Sequence, residues 1–205
     1  MGIRILNKIV IASRNSGKIS EIKKIISIQS VVFTDLQEIG FPGTIEETGK
    51  TFRENALIKA ETVYAWCKLP VIADDSGLCV TALNGKPGVY SARFAGSDAS
   101  DADNNMLLLE MLAAVPEAQR SAWFACTAVF YHAPGGYSIS EGRIDGVIAT
   151  EPAGGGGFGY DPVFYFPEQN KTMAQLDEQE KNALSHRAQA IRRLKRSIEN
   201  HFDSG

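Results

Sequence analysis

The run Lys8-Ile9-Val10-Ile11-Ala12 leads without a break into Ser13-Arg14-Asn15-Ser16-Gly17-Lys18, and a helical pattern starts directly behind it. Ile19, Ile22 and Ile26 recur at helical spacing, while Glu21, Lys23 and Lys24 face outward. Val31 to Phe33 then reads as a second strand. A β-α-β start of this kind commits a chain to a parallel sheet covered on both faces, because the crossover helix must lie against it.

The rest of the chain extends that plan. Thr51-Phe52-Arg53-Glu54 has capping-box form, and Phe52, Ala56, Ala60, Val63 and Tyr64 make the apolar stripe of a second helix ending near Pro70. Val71-Ile72-Ala73 is the next buried strand and is expected to end at Asp74-Asp75-Ser76-Gly77. A shorter helix is expected from Asn104 to Leu112. Ser121 to His132 and Tyr137 to Ile148, joined across Pro134-Gly135-Gly136, read as a long antiparallel hairpin. The glycines at 154–157 form a loop ahead of an aromatic strand, Val163 to Phe166. Ser185 caps a final helix with the stripe Ala188, Ile191, Leu194 and Ile198. The expected fold is α/β: a mixed twisted sheet flanked by helices, with the hairpin-rich middle forming a second lobe, in a single domain over residues 1–205.

Charge and composition narrow the function. Lys and Arg total 21 against 24 Asp and Glu, a formal net charge of −3, so nothing in the overall field favours coating a nucleic acid. No apolar run approaches the roughly 18–20 residues that cross a bilayer, and Met1 to Lys8 hold no apolar core with a cleavage site. Cys67, Cys79 and Cys126 are odd in number and lack C-x-x-C spacing, as in a reducing compartment. A cytoplasmic chain without nucleic-acid or membrane partners is expected.

Several strings match known motifs without their context. Gly154-x-Gly156-x-x-Gly159 neither follows a strand nor opens a helix, so it is not a dinucleotide fingerprint. Ala12 to Lys18 lacks the first glycine of a phosphate-binding P-loop, and Ile19 stands where a magnesium-binding Ser or Thr belongs. Asp75-Ser76-Gly77 occurs once, whereas aspartic-protease chemistry needs two such carboxylates, which a dimer could supply. His132, His186 and His201 show no zinc spacing.

Three constellations carry chemistry. Ser13, Asn15 and Lys18 sit at a strand-to-helix turn, where backbone N–H groups and the helix dipole favour an anion. Glu46-Glu47 precedes the second helix and Asp74-Asp75 follows a buried strand. Adjacent aspartates repel unless a cation or proton intervenes, and oxygen-only ligands suit magnesium bridged to phosphates. Asn55 and Lys59 lie four apart on the second helix, alone no more than a solvated polar face. Lys181, His186 and Arg187 form the third group. Positive charge in the first turn of the last helix is unfavourable unless an anion or one of Asp177, Glu178 and Glu180 answers it. Phe158 offers a ring for stacking on a base, and Asp161 an acceptor for ring N–H groups.

Taken in order, these segments resemble the inosine triphosphate pyrophosphatase family, hydrolases of non-standard purine nucleoside triphosphates. The strings that carry the likeness are Ala12 to Lys18, Glu46-Glu47-Thr48-Gly49, Glu54 to Ala60 and Ala73 to Leu78, followed by Pro87 to Arg93, Gly157 to Pro162 and Glu180 to Arg187. The resemblance implies hydrolysis of ITP, dITP and XTP to the monophosphate and pyrophosphate, with Mg2+, by a homodimer with its site in a central cleft between two lobes. By position it implies that Ser13, Arg14, Asn15, Ser16, Gly17 and Lys18 hold the triphosphate with Lys59. Glu47 and Asp75 would serve the metal, with Glu46 a second choice, and Asp75 would also accept the proton of the attacking water. Ser76, Phe158, Gly159, Tyr160, Asp161, Lys181, His186 and Arg187 would line the nucleotide pocket, with His186 and Arg187 donating to a 6-oxo group. Ser13-Arg14-Asn15 departs from the commoner Thr-Gly-Asn form of the first motif. The rivals are a pyrophosphatase of other base preference, a non-catalytic nucleotide sensor and a metal-independent dimeric protease.

Overall fold

The computed structural model describes residues 7–29 and 31–203. Strands β1 (Asn7–Ile11) and β2 (Val31–Asp35) pair in parallel around helix α1 (Ser16–Ile25), as the opening pattern predicts. β1 also pairs in parallel with β3 (Val71–Val80), Val10 opposite Val71 and Ile11 opposite Ile72. The other strands are β4 (Ser121–Ala133), β5 (Gly136–Ile148), β6 (Phe164–Phe166) and β7 (Lys171–Thr172). The sheet order is β2-β1-β3-β4-β5-β6-β7, and β6 runs antiparallel to both β5 and β7, so the sheet is mixed.

Helix α2 (Phe52–Cys67) starts at the expected capping box: Thr51 Oγ1 accepts the Glu54 N–H at 3.1 Å, and Glu54 Oε2 accepts the Thr51 N–H at 3.1 Å. It stops at Lys68, which takes the left-handed conformation at φ 57°. Helices α3 (Asp101–Met111), α4 (Glu178–Leu184) and α5 (His186–Asp203) complete the set. One boundary differs from expectation. β3 does not end at Ala73 but runs on through Asp74-Asp75-Ser76-Gly77 to Val80. Two carboxylates can stand mid-strand because cations meet both of them.

The chain divides into two compact units: residues up to Asp75 with Cys126–Gly142 and Arg187 onward, and residues Ser76–Ala125 with Arg143–His186. In the first unit the two-residue period of the strands builds two cores. Ile9, Ile11 and Ile72 pack with Ile22 of α1 and Ile191 and Leu194 of α5. Val10, Val71 and Ala73 pack on the other face with Ala56, Ala60 and Val63 of α2. Each fully buried Ile or Leu contributes about 1.5–3 kcal/mol relative to exposure. In the second unit Leu78, Val80, Leu108, Phe124 and Phe164 form the core. Beside it the buried Arg120 guanidinium donates to the carbonyls of Leu112, Val115 and Ala149.

Candidate active site

Asp74 and Asp75 are neighbours in β3, yet their side chains take opposite faces of the sheet. Successive strand residues point to opposite faces, so Asp74 follows Ile72 toward α1 and α5 while Asp75 follows Ala73 toward α2. The repulsion expected of the pair is thus relieved by geometry, and each carboxylate has its own direct ion-pair partners while also feeling the other's at longer range. Asp74 is 2% exposed; its Oδ2 lies 3.2 Å from Lys18 Nζ and 3.1 Å from Arg187 Nε, and the Cys126 thiol donates to it at 3.9 Å. Burial acts to raise its pKa, but Lys18, Arg187 and Lys59 together reverse this and hold it far below the usual carboxylate range. The Cys126 thiol is pushed up to about 12 by burial and by that charge.

Asp75, 5% exposed, accepts from Asn55 Nδ2 at Oδ2 and from Lys59 Nζ at Oδ1, each at 3.1 Å. Burial pushes its pKa up and the Glu47 carboxylate adds to this, while Lys59, Lys18 and the Asn55 amide oppose it. Lys59 Nζ also lies 2.9 Å from Glu47 Oε1, so the two carboxylates converge on one ammonium. Burial works against the charge on Lys59, yet Asp75, Asp74 and Glu47 outweigh it and its pKa is raised. Asn55 and Lys59 are therefore not a solvated face: both are buried, and Asn55 Oδ1 accepts the Gly49 N–H at 2.8 Å, tying the segment that carries Glu47 to α2. Any side chain at position 49 would meet Asn55 Oδ1 and Glu54 Cβ at 2.6 Å, which explains the glycine. Glu46 is exposed and joins no ion pair among the described residues, so Glu47 is the carboxylate at this place.

At the start of α1, Asn15 Oδ1 accepts the Lys18 N–H at 3.0 Å and Ser13 Oγ accepts the Asn15 N–H at 3.2 Å. Ser13, Arg14 and Ser16 line a cavity of about 900 Å³; Gly17 is half-buried in the first turn. Arg14 is not in the left-handed region, so the turn has no need of glycine there. Its guanidinium instead donates to the carbonyls of Phe41 at 3.0 Å and Gly43 at 2.6 Å, bracing the loop ahead of Glu46.

The second unit assembles the glycine-loop residues. Asp161 Oδ2 accepts the Phe158 N–H at 2.9 Å and Lys181 Nζ at 2.5 Å, and that ammonium lies 4.6 Å from the centre of the Phe158 ring. A Cβ at Gly157 (φ 75°) would collide with the Asp161 carboxylate. His186 is buried and stacks on Phe124, ring centres 4.8 Å apart. Tyr160 turns inward: it is 4% exposed in the core and its hydroxyl donates to the Ser91 carbonyl at 2.9 Å, so its place is structural. Ser76 is half-buried on β3. Gly77 beside it has Gly88 and Ser91 packed where a side chain would be, which explains the Pro87 to Arg93 string.

Arg187 departs furthest from the sequence reading. Its Nε pairs with Asp74 and its Nη1 with Glu21, and at 2% exposure the guanidinium is held by those two carboxylates. The sequence reading pairs Asp74 with Asp75, turns Glu21 outward and leaves Asn55 on a solvated face, whereas Glu21 is buried, 8% exposed, on Arg187; it does not single out Asp101 or Asn105. The alternation Ile72, Ala73, Asp74, Asp75 carried the signal for Asp74. Glu21 has no local signal, because its partner lies 166 residues away.

A Ham1 family profile matches residues 9–197. The chain is 49% identical over 190 residues to the dITP/XTP pyrophosphatase of Geobacillus kaustophilus, covering 92% of this chain and 93% of that one. With the dITP/XTP pyrophosphatase of Bacillus subtilis it shares 45% identity over 196 residues, 95% of this chain and 98% of the relative. A solved HAM1 protein from Coxiella burnetii superposes with a TM-score of 0.86 at 43% identity, over 95% of this chain and 100% of that one. A match running from β1 into α5, with relatives this similar over nearly their whole length, places the chain in the Ham1 family.

Proposed function

We infer that this chain hydrolyses non-standard purine nucleoside triphosphates (ITP, dITP and XTP) to the nucleoside monophosphate and pyrophosphate, a reading supported by its similarity to proteins named dITP/XTP pyrophosphatase. The observation that carries the chemical reading is Asp75, a buried carboxylate with a raised pKa, held in place by Asn55 and Lys59. A carboxyl of that kind suits a general base working near neutral pH. Asp75 takes the proton of a water whose oxygen attacks the α-phosphorus. The α–β bridging bond breaks, and its oxygen leaves on pyrophosphate. Lys18 and Lys59 offset the charge of the triphosphate, and Ser13, Asn15 and the first turn of α1 donate to its oxygens.

Glu47 and Asp75 fit a divalent cation. Both are oxygen donors directed at one ammonium, and neither His nor Cys joins them, which favours a hard ion. Among the described residues no group of three or more His, Cys, Asp or Glu side chains could hold a metal unaided. The proposed ion is magnesium, whose remaining ligands would be water and phosphate oxygens. When bound, it would supply charge neutralisation at the phosphate oxygens.

The base end of the substrate is assigned to Phe158 for stacking and to Asp161, Lys181 and His186 for its polar edge, with Arg187 anchoring the start of α5. A homodimer belongs to the same proposal, and Tyr90, Met106 and Met111 are exposed apolar side chains available for it. A cytoplasmic location fits a nucleotide-pool substrate, and no helix among the described residues is long and apolar enough to cross a membrane.

The test is pyrophosphate release with magnesium from ITP, dITP, XTP, GTP and ATP. The expected result is kcat/KM at least about 10²-fold higher for the first three than for ATP, because a site built for the oxo form leaves polar groups unpaired against adenine. EDTA should abolish the release. Equal use of ATP would assign a different base preference, and binding of ITP without release would make the chain a sensor.

A further inference from the structure

Helix α3 meets the loop that carries Phe158 at Gly159, through both of that residue's backbone polar groups. Asp101 Oδ2 accepts the Gly159 N–H at 2.6 Å, and Asn105 Nδ2 donates to the Gly159 carbonyl at 3.0 Å. The two residues are four apart, so one face of the helix presents both groups together. Gly159 sits at φ 62°, a conformation glycine adopts readily but does not hold by itself. Next to it the Phe158 N–H is taken by Asp161, and the Phe158 ring lies against Lys181. The ring is therefore fixed on one side by Asp161 and Lys181 and on the other by whatever holds the backbone at Gly159. Asn105 is 7% exposed, and its Oδ1 has no hydrogen-bond partner among the described residues. A buried acceptor in that state is unfavourable, so a role in packing alone is a poor account of an asparagine here. Asp101, Asn105, Phe158 and Gly159 line one cavity of about 900 Å³.

We propose that Asp101 and Asn105 are positioning residues for substrate recognition: Asp101 holds the Phe158–Gly159 peptide and Asn105 the Gly159–Tyr160 peptide, and together they hold the Phe158 ring in the orientation that accepts the base. The inference rests on the reading of Phe158 as the base-stacking residue. Neither residue takes part in the chemistry, so their loss acts on KM and leaves kcat nearly intact.

The experiment is steady-state kinetics with ITP on Asp101→Ala, Asp101→Asn, Asn105→Ala, Phe158→Ala and the double variant Asp101→Ala/Phe158→Ala, with Tm measured for each. Asp101→Ala and Asn105→Ala should each raise KM about tenfold with kcat within about twofold. Asp101→Asn, which keeps an acceptor oxygen, should recover most of the loss. In the Phe158→Ala background, Asp101→Ala should raise KM by less than about twofold, because the group it acts through is gone. If Phe158→Ala raises KM but Asp101→Ala does not, or if the two effects multiply fully, the clamp is overturned and the stacking reading stands. A wild-type KM in Phe158→Ala overturns both. If Asp101→Ala lowers Tm and kcat together and Asp101→Asn rescues neither KM nor kcat, the residue is structural and the proposal fails.

Discussion

Asp75→Asn lowers kcat for ITP by about 10²–10⁴-fold, the usual contribution of a general base, with KM within about threefold. The amide keeps the size of the carboxylate and can still accept from Lys59, so the side chain stays in place in β3. What it loses is the ability to take a proton and half of the charge shared with Glu47 around Lys59. Steady-state kinetics beside a thermal melt separates the two effects. A variant that melts like the parent and turns over within about twofold of it would remove Asp75 from the base role.

Arg187→Ala costs about 3–5 kcal/mol of stability, because it leaves the buried carboxylates of Asp74 and Glu21 without the guanidinium that sits between them. At roughly 2–4 °C per kcal/mol for a chain of this size, the melting temperature falls by about 6–20 °C. Lys18 still faces Asp74 and limits the damage on that side. The double variant Arg187→Ala/Glu21→Gln, which also removes one of the two buried negative charges, should recover part of the loss. A denaturant titration showing less than about 1 kcal/mol for Arg187→Ala would mean that the buried pair contributes little and that this side chain serves the ligand alone.

Much of the fold was legible because it rests on periodicity. The β1-α1-β2 start, the capping box at Thr51 and the long hairpin all follow from local spacing and turn chemistry. β3 was read too short because two aspartates resemble the end of a strand. Only the cations brought from α1, α2 and α5 make them tolerable inside it. The short helix α4 escaped notice because its seven residues carry no apolar stripe, although Asp177 and Glu180 form a capping box.

The site was legible as a set of residues and less so as a set of contacts. Lys18, Lys59, Glu47 and Asp75 stand in the first unit as polar groups with defined partners, and Phe158, Asp161 and Lys181 meet in the second. Their pairings depend on strand alternation and on contacts between residues far apart in the chain, which no local pattern encodes. Tyr160 shows the converse: adjacency to Phe158 and Asp161 suggested a ligand contact, while its hydroxyl serves the core. Arg14 looked like an obstruction in the first motif and proves to be a brace for the loop at Phe41 and Gly43.

Which phosphorus the water attacks is best settled by turnover of ITP in H₂¹⁸O with magnesium, followed by mass spectrometry of both products. With Asp75 directing water to the α-phosphorus, the label enters the nucleoside monophosphate and the pyrophosphate stays unlabelled. Label in pyrophosphate, or orthophosphate as the released product, would contradict the account.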